Sequence, residues 1–207
     1  MMIVDSSRFT VASGVAPSYV GSSASANSTA TTFGLPAGAA VGDWAVVVLG
    51  NYFPSSFGIS GGAGGWTYLN TSHCYIAHKV LEAADIGATF TFATNTTFKA
   101  VNCAVYSGVA AVTLQGSSQV LSATPASVAG FTPAALGRVV TIAKVDSDYP
   151  EPAITAPSGF TKRSDVNYAS GVSTCVADTA AYGGGALAWA FSGTAVDRNV
   201  EFVFELT

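Results

Sequence analysis

The most constraining feature of the sequence is that its two halves resemble each other. Gly21-Ser-Ser recurs as Gly116-Ser-Ser at a spacing of 95 residues, and Val11-Ala-Ser-Gly-Val-Ala parallels Val105-Tyr-Ser-Gly-Val-Ala at a spacing of 94. Matches further along the two halves have other spacings, which loops of different length would explain. An internal period of this kind restricts the fold to architectures that are built from similar structural units.

The repeat defines the expected domain organisation. We expect an N-terminal arm at 1–8 and a single domain at 9–207, which consists of one unit at about 9–104 and a second at about 103–207. The join at 109–119 is too short and too apolar for a flexible linker. The two units should therefore pack face to face and bury their apolar surfaces together.

Both units have the pattern of β-strands. Short runs rich in valine, threonine and aromatic residues alternate with clusters of glycine, proline, asparagine and serine, which is typical of strands joined by turns. In the last run, 199–206, apolar residues alternate with mostly acidic ones, and only 80–86 could form a turn or two of helix. The pattern predicts an all-β fold: an antiparallel two-sheet β-sandwich, jelly-roll-like, built from two similar units.

Composition excludes several functional classes. Charged residues make up 10% of the chain and hydrophobic residues 49%, with a net charge of −4. This balance excludes intrinsic disorder, and it offers no basic surface for nucleic acid or an anionic membrane. The longest aliphatic stretch, 45–49, is far too short for a membrane helix. The first ten residues lack the apolar run of a signal peptide, so we expect synthesis in a cytoplasm.

The three cysteines predict no metal site. Cys74, Cys103 and Cys175 are an odd number, and none lies in a C-x-x-C pair, which disfavours zinc. Cys103 alternates with valines, which predicts a buried thiol that acts as a small hydrophobic residue.

Two sets of residues have side chains that occur in catalytic or metal sites. Ser60 lies in a G-x-S-x-G pattern, but the residues that follow, Ala-Gly-Gly-Trp-Thr, cannot begin the helix that a nucleophile elbow requires. His73 and His78 are five residues apart and would point to opposite faces of a strand, so they cannot bind one metal ion. We therefore expect no enzymatic activity and no cofactor.

One acidic cluster is a candidate cation site. Asp146, Asp148 and Glu151 follow a predicted strand, and carboxylates alternating in a loop can hold Ca²⁺. The alternative is a solvated turn shaped by Pro150 and Pro152.

Aromatic residues near glycine-rich loops are candidate glycan contacts. Such side chains can stack on sugar rings, and the candidates here are Tyr52, Phe53, Trp66 and Tyr149. For Trp66 a packing role is the simpler interpretation, because its counterpart in the second unit is Phe160.

Three segments together resemble a known domain. They are Leu35-Pro-Ala-Gly-Ala-Ala-Val-Gly-Asp-Trp with the apolar strand that follows, Gly65-Trp-Thr, and Val105-Tyr-Ser-Gly-Val. This pattern resembles a recurrent domain of tailed-bacteriophage and prophage virion proteins, and the similarity covers nearly the whole chain. A degenerate second half follows, in which Arg138 stands where the aligned pattern has Asp43.

The resemblance implies a non-enzymatic structural protein of a phage particle, such as a head decoration, collar or tail-fibre component, located in the virion. Phage capsid or tail proteins would be its partners, and it would form homo-oligomers, with the arm at 1–8 pairing with a neighbour's edge strand. The resemblance supplies no catalytic residues. The alternative is a glycan-binding host-recognition module of a tail fibre or spike.

Overall fold

The computed structural model describes residues 15–26, 32–50, 58–70, 74–93, 100–122, 124–147, 153–168, 171–192 and 196–207. These residues form β-structure throughout, apart from one turn of 3-10 helix at Ala83–Asp85. The predicted all-β, antiparallel class is confirmed. The segment that could have formed a helix contributes only this turn, because Gly87 follows it with a φ of 78°.

A five-stranded antiparallel sheet forms the centre of the first unit. Its spatial order is β1-β8-β3-β6-β5, and β3 is buried over its whole length because it carries an unbroken apolar run. The strands are β1 (Ser18–Ala26), β3 (Trp44–Gly50), β5 (Thr67–Asn70), β6 (Cys74–Val80) and β8 (Ala100–Ser107).

The second unit contains another five-stranded antiparallel sheet with the corresponding order, β9-β17-β11-β14-β13. Each strand takes the place of its counterpart in the first sheet, so the described strands repeat one topology. The strands are β9 (Val112–Val120), β11 (Arg138–Ser147), β13 (Thr161–Tyr168), β14 (Val172–Thr179) and β17 (Val196–Leu206).

Smaller sheets cover the outer faces of the two large sheets, so the molecule has more layers than a two-sheet sandwich. A three-stranded sheet packs on the first large sheet through Phe33, Phe90 and Phe92, and two-stranded pairs pack on the second through Leu187 and Trp189. The covering strands are β2 (Thr32–Gly34), β4 (Gly58–Ser60), β7 (Thr89–Ala93), β10 (Ser127–Val128), β12 (Ala153–Thr155), β15 (Leu187–Ala188) and β16 (Ala190–Ser192).

The inner faces of the two large sheets form the largest core. Because side chains alternate along a strand, every second residue points into it. These residues include Trp44, Val46, Val48, Ile76, Tyr106, Val140, Ile142, Val176, Phe202 and Phe204. The acidic face that alternation predicts for β17 is also buried, since Glu201 lies near Trp189 and Glu205 binds the turn at Ala134.

Strand pairing fixes which residues of the two units are equivalent. Trp44, the first residue of β3, pairs with Tyr106, and Arg138, the first residue of β11, pairs with Leu206. Trp44 and Arg138 therefore occupy equivalent positions, each at the start of the central strand of its sheet. Two residues along each strand, Val46 pairs with His78 and Val140 pairs with Asp178, so His78 and Asp178 are also equivalent.

This register corrects the alignment of Arg138 with Asp43. The Asp43 amide donates to the Ala40 carbonyl, and the Gly137 amide donates to the Ala134 carbonyl in the same turn, so Asp43 corresponds to Gly137. The Asp43 carboxylate accepts a hydrogen bond from the Ala40 amide at 2.9 Å. In the second unit Glu205 accepts the equivalent bond from the Ala134 amide at 2.5 Å. The turn therefore keeps a carboxylate, supplied by a neighbouring strand.

Candidate functional site

A buried ion-pair network joins the two units at one edge of the interface between the large sheets. Asp178 of β14 pairs with Arg138, and it accepts hydrogen bonds from Arg163 Nε at 2.7 Å and Nη2 at 3.1 Å. Tyr106 of the first unit donates its hydroxyl to the same carboxylate at 3.1 Å. The Arg163 guanidinium lies 4.7 Å from the ring centre of Tyr19. We call these five residues the latch.

The ion pairs of the latch lie in a site that is largely shielded from solvent. The Asp178 side chain is fully buried, while 14% of the Arg138 side chain and 28% of the Arg163 side chain are exposed. Burial and the nearby Asp178 carboxylate raise the pKa of Tyr106 well above its usual value. The hydrogen bond to Asp178 raises the pKa of Arg163. Tyr106 therefore stays neutral and Arg163 stays charged near pH 7.

A groove of about 320 Å³ lies at the opposite edge of the same interface. Its aromatic wall consists of Trp44 and His78, and Trp44 Nε1 donates a hydrogen bond to His78 Nδ1 at 3.3 Å. Since Nδ1 accepts this bond, the neutral imidazole carries its proton on Nε2. Burial lowers the pKa of His78, which favours the neutral ring. The groove is also lined by Gly65, Thr67, Lys79, Val80, Glu82, Val109, Ala110, Ala111 and Val112.

A second groove, of about 420 Å³, lies between two turns of the first unit. It is lined by 34–39 and 86–89, which are mostly small or apolar residues, and it overlaps the turn that carries the virion-domain resemblance. Of the two grooves, only the first has aromatic rings and ionisable side chains in its wall.

The candidate calcium residues are only partly described. Asp148 and Glu151 lie outside the described residues, and so do Pro150 and Pro152. Asp146 does not lie in a loop as expected: it belongs to β11 and is fully buried in an ion pair with Lys144, without a well-directed hydrogen bond. Burial raises the pKa of Asp146 and lowers that of Lys144. No group of three or more metal-ligating side chains occurs among the residues that the structure describes.

A second buried carboxylate, Glu201, lies beneath the outer sheet of the second unit. Thr141 donates its hydroxyl to Glu201 Oε1 at 2.8 Å and accepts a hydrogen bond from Trp189 Nε1 at 3.0 Å. Glu201 Oε2 has no hydrogen-bond partner. Burial raises the pKa of Glu201 to about 7.

Of the candidate glycan contacts, only Trp66 lies in the described part of the chain; Tyr52, Phe53 and Tyr149 lie outside it. Trp66 is 7% exposed and packs edge-on against Phe90, with ring centres 5.6 Å apart. Its ring belongs to the core beneath the outer sheet, so it packs instead of presenting a face to a sugar.

The residues weighed for catalysis and metal binding do not come together. Ser60 is exposed in the outer sheet, where its hydroxyl donates to the Thr91 carbonyl at 3.4 Å, and β4 leads into a turn instead of a helix. His78 faces the interface between the large sheets, and His73 lies outside the described residues. The cysteines Cys74, Cys103 and Cys175 are all buried free thiols, as expected for Cys103. Burial raises the pKa of Cys74 and of Cys103 to about 12.

Sequence reasoning missed the latch. Arg163 and Asp178 lie 15 residues apart in unremarkable strands, and neither forms a recognisable motif. The one available signal was Asp178 itself, an isolated aspartate at the end of an otherwise uncharged strand that begins at Val172. A buried charge at such a place requires a partner from elsewhere in the chain.

Comparisons with known proteins provide no family: no family model, no curated protein and no solved structure matches the chain. Among the described residues, no helix has the length and hydropathy that are needed to cross a bilayer.

Proposed function

We propose that the protein is a non-enzymatic structural component of a phage particle. In this role it decorates or stabilises the capsid, collar or tail surface and associates with copies of itself. The sequence resemblance to virion domains motivates the proposal. The observation that carries it is the distribution of charge in the structure, which leaves two long strand edges uncharged.

Charge is concentrated in the interior. The chain has only 20 charged residues, and of the 15 that the structure describes, eight are buried. They are Asp43, Lys79, Asp85, Lys144, Asp146, Asp178, Glu201 and Glu205. The outer surface therefore carries far fewer charges than the 25–35% or so that is typical of soluble monomers. A surface of small polar side chains can join a protein interface without the cost of desolvating charges.

Two long strand edges carry no charge. The edge strands β1 and β9 are nine residues long and contain no charged residue and no proline. The edge strand β13 has charged side chains, Lys162, Arg163 and Asp165. Charges on an edge discourage pairing with another chain, whereas an uncharged edge is a template for it. We infer that copies associate through β1 and β9.

Sedimentation of purified protein tests this proposal. The protein should form oligomers, and it should bind particles that lack it. Replacing Thr113 and Ser117 of β9 together by lysine should abolish self-association, while Ser158→Lys, which adds a charge at an exposed turn, should not. Thermal unfolding of each variant verifies that it is folded. A folded wild-type protein that remains monomeric and does not bind the particles would contradict the proposal.

A further inference from the structure

The interface between the two large sheets is open on two sides, and each side is bordered by two strand edges. On one side the edge strand β1 of the first sheet lies beside the edge strand β13 of the second. On the opposite side lie the remaining edge strands, β5 and β9, with the groove between them. We call this second side the β5–β9 flank.

The strands that border the two sides differ in charge. The pairing of β13 with β14 skips from Lys162 to Ser164, so Arg163 is a bulge residue, and its guanidinium extends to Tyr19 of β1. The strands β5 and β9 contain no charged residue. Pairing at β1 would therefore place a second chain next to fixed charges, whereas pairing at β9 would not.

Large apolar side chains are exposed along the β5–β9 flank. Tyr68 of β5 is 43% exposed, Leu114 of β9 is 42% exposed, and Leu121, which follows β9 directly, is 65% exposed. Single exposed apolar residues are normal on a protein surface, but these three lie along uncharged strand edges. A partner that covered them would gain about 25 cal/mol for each Å² of apolar surface that it buried.

The edge of β9 is regular only in its second half. The pairing with β17 shifts between Val203 and Phe204, which leaves Gln115 as a bulge residue. The Gln115 side chain donates a hydrogen bond to Glu205 Oε2 at 2.6 Å, so it turns back onto its own sheet. From 116 to 120 the register is unbroken. Because a bulge disturbs pairing where it occurs, 116–120 is the part of β9 that suits a further strand.

The exposed carboxylate at the groove does not lie beside this part of β9. Glu82 lines the groove together with Val112, the first residue of β9, whereas 113–120 do not line it. The regular stretch therefore runs away from Glu82.

This stretch and the leucines that border it are self-complementary. When two antiparallel strands of identical sequence pair about a two-fold axis, residues before the axis face residues after it in the other copy. With the axis at Ser118, the centre of 116–120, Ser118 faces its own copy. The same register places Leu121 of each chain beside Leu114 of the other. A second copy of the chain thus supplies both an uncharged edge and the apolar side chains that cover these leucines.

We propose that two copies of the chain pair through 116–120 of β9 about a two-fold axis at Ser118, so that the large sheets of their second units become one continuous sheet. The other uncharged edge, β1, stays on the outside of this dimer. This inference rests on the self-association in the proposed function, and it adds which edge forms the contact and with what symmetry.

Cysteine cross-linking of the full chain tests the contact. Directly opposite residues of an antiparallel pair have Cα atoms about 4.5–5.5 Å apart, which is within the range of a disulfide. Under mild oxidation, Ser118→Cys should therefore form a covalent dimer. The three native thiols are buried and have raised pKa values, so they should not react. The matched variant Ser158→Cys, at an exposed turn, should remain monomeric in the absence of a reducing agent.

A second pair of variants tests the leucine contact. Leu121→Asp should raise the dissociation constant of the dimer by at least about tenfold, because each dimer buries this side chain twice. Leu136→Asp, at an exposed turn where the leucine is 51% exposed, should leave the constant unchanged. Sedimentation measures both constants, and thermal unfolding verifies that both variants are folded.

Three outcomes would overturn the inference. The first is that Ser118→Cys cross-links no faster than Ser158→Cys; wild-type oligomers would then still support the proposed function, whereas a wild-type monomer that does not bind particles would contradict both. The second is that Ser118→Cys cross-links only when it is mixed with Ala24→Cys of β1, because the copies would then join head to tail. The third is that Leu121→Asp and Leu136→Asp have equal effects.

Discussion

The two units place different chemistry at the same positions of one topology. Where the first unit has Trp44 and His78, the second has Arg138 and Asp178. Leu49 pairs with Val101, and its equivalent Ala143 pairs with Glu201, so a valine in the first unit is matched by a buried glutamate in the second. The comparison shows that a sheet framework can hold either apolar or polar groups at one site. The buried charge of Asp178 has partners nearby, whereas Glu201, which has only the Thr141 hydroxyl, has a raised pKa instead.

The largest change in the free energy of unfolding is expected in the latch, and it can be compared with the change at the equivalent residue of the first unit, His78. Asp178→Ala leaves Arg138, Arg163 and Tyr106 without their common partner, so we expect the free energy of unfolding to fall by about 5 kcal/mol. The matched variant at the equivalent position, His78→Ala, should cost less than half as much, since it leaves no buried charge. Urea unfolding measures both. Equal losses would show that the two edges are held by the same kind of contact.

The pair Lys144–Asp146 tests whether charge in the second unit stabilises the fold. The lysine's equivalent in the first unit is Gly50, since Gly50 pairs with Cys74 and Lys144 with Thr174. Lys144→Met should lower the free energy of unfolding by about 4 kcal/mol, because it leaves a buried carboxylate unpaired. The double variant with Asp146→Leu should recover most of this loss. If the double variant is as unstable as the single one, the pair contributes net stability.

The buried Glu201 makes the second unit pH-sensitive. Well below pH 4.5 the Glu201 carboxyl is protonated in both the folded and the unfolded chain, so its burial does not make stability depend on pH there. As pH rises towards 7, the unfolded chain ionises first, so stability falls. The loss should reach about 3 kcal/mol above pH 7. Glu201→Gln should remove this pH dependence, whereas Glu82→Gln, at an exposed site, should retain it. The free energy of unfolding of both variants, measured from pH 4 to pH 8, tests this prediction. Equal pH dependence in the two variants would contradict it.

The smallest expected effect is the pH dependence of stability that His78 gives the first unit. Its sign is opposite to that of Glu201. Because burial lowers the pKa of His78, the unfolded chain takes up a proton before the folded chain does as the pH falls below about 6.5. This uptake offsets part of the gain in stability that Glu201 gives as the pH falls from 7 to 5, so His78→Phe should gain more stability than the wild-type protein over the same range. Parallel pH profiles for the two proteins would contradict this assignment.

The sequence predicts the fold class well because alternation and turn residues are local signals. The strand at 199–206 is recognisable from its period alone, and the repeat indicates that a second set of strands resembles the first. The outer sheets were not predicted, because their strands are only two to five residues long and form only when a large sheet already presents an apolar face. Alignment by letters also placed Arg138 one residue away from its structural equivalent.

The candidate site was much less predictable, because it depends on long-range contacts. The latch joins Tyr106 to Asp178, 72 residues apart, and the bulge at Arg163 follows from a pairing register that no local motif encodes. Trp66 was considered both as core and as sugar contact, since a tryptophan after glycines is compatible with either. The outer sheet, which buries Trp66, shows that this residue belongs to the core.

The bulge at Arg163 has a consequence beyond the site that it fills. It adds a cationic side chain to β13, whereas the equivalent strand β5 carries no charged residue. The two outer margins of the chain therefore differ in surface chemistry although they share one topology. A strand that approached β13 would meet charges that it would not meet at β5.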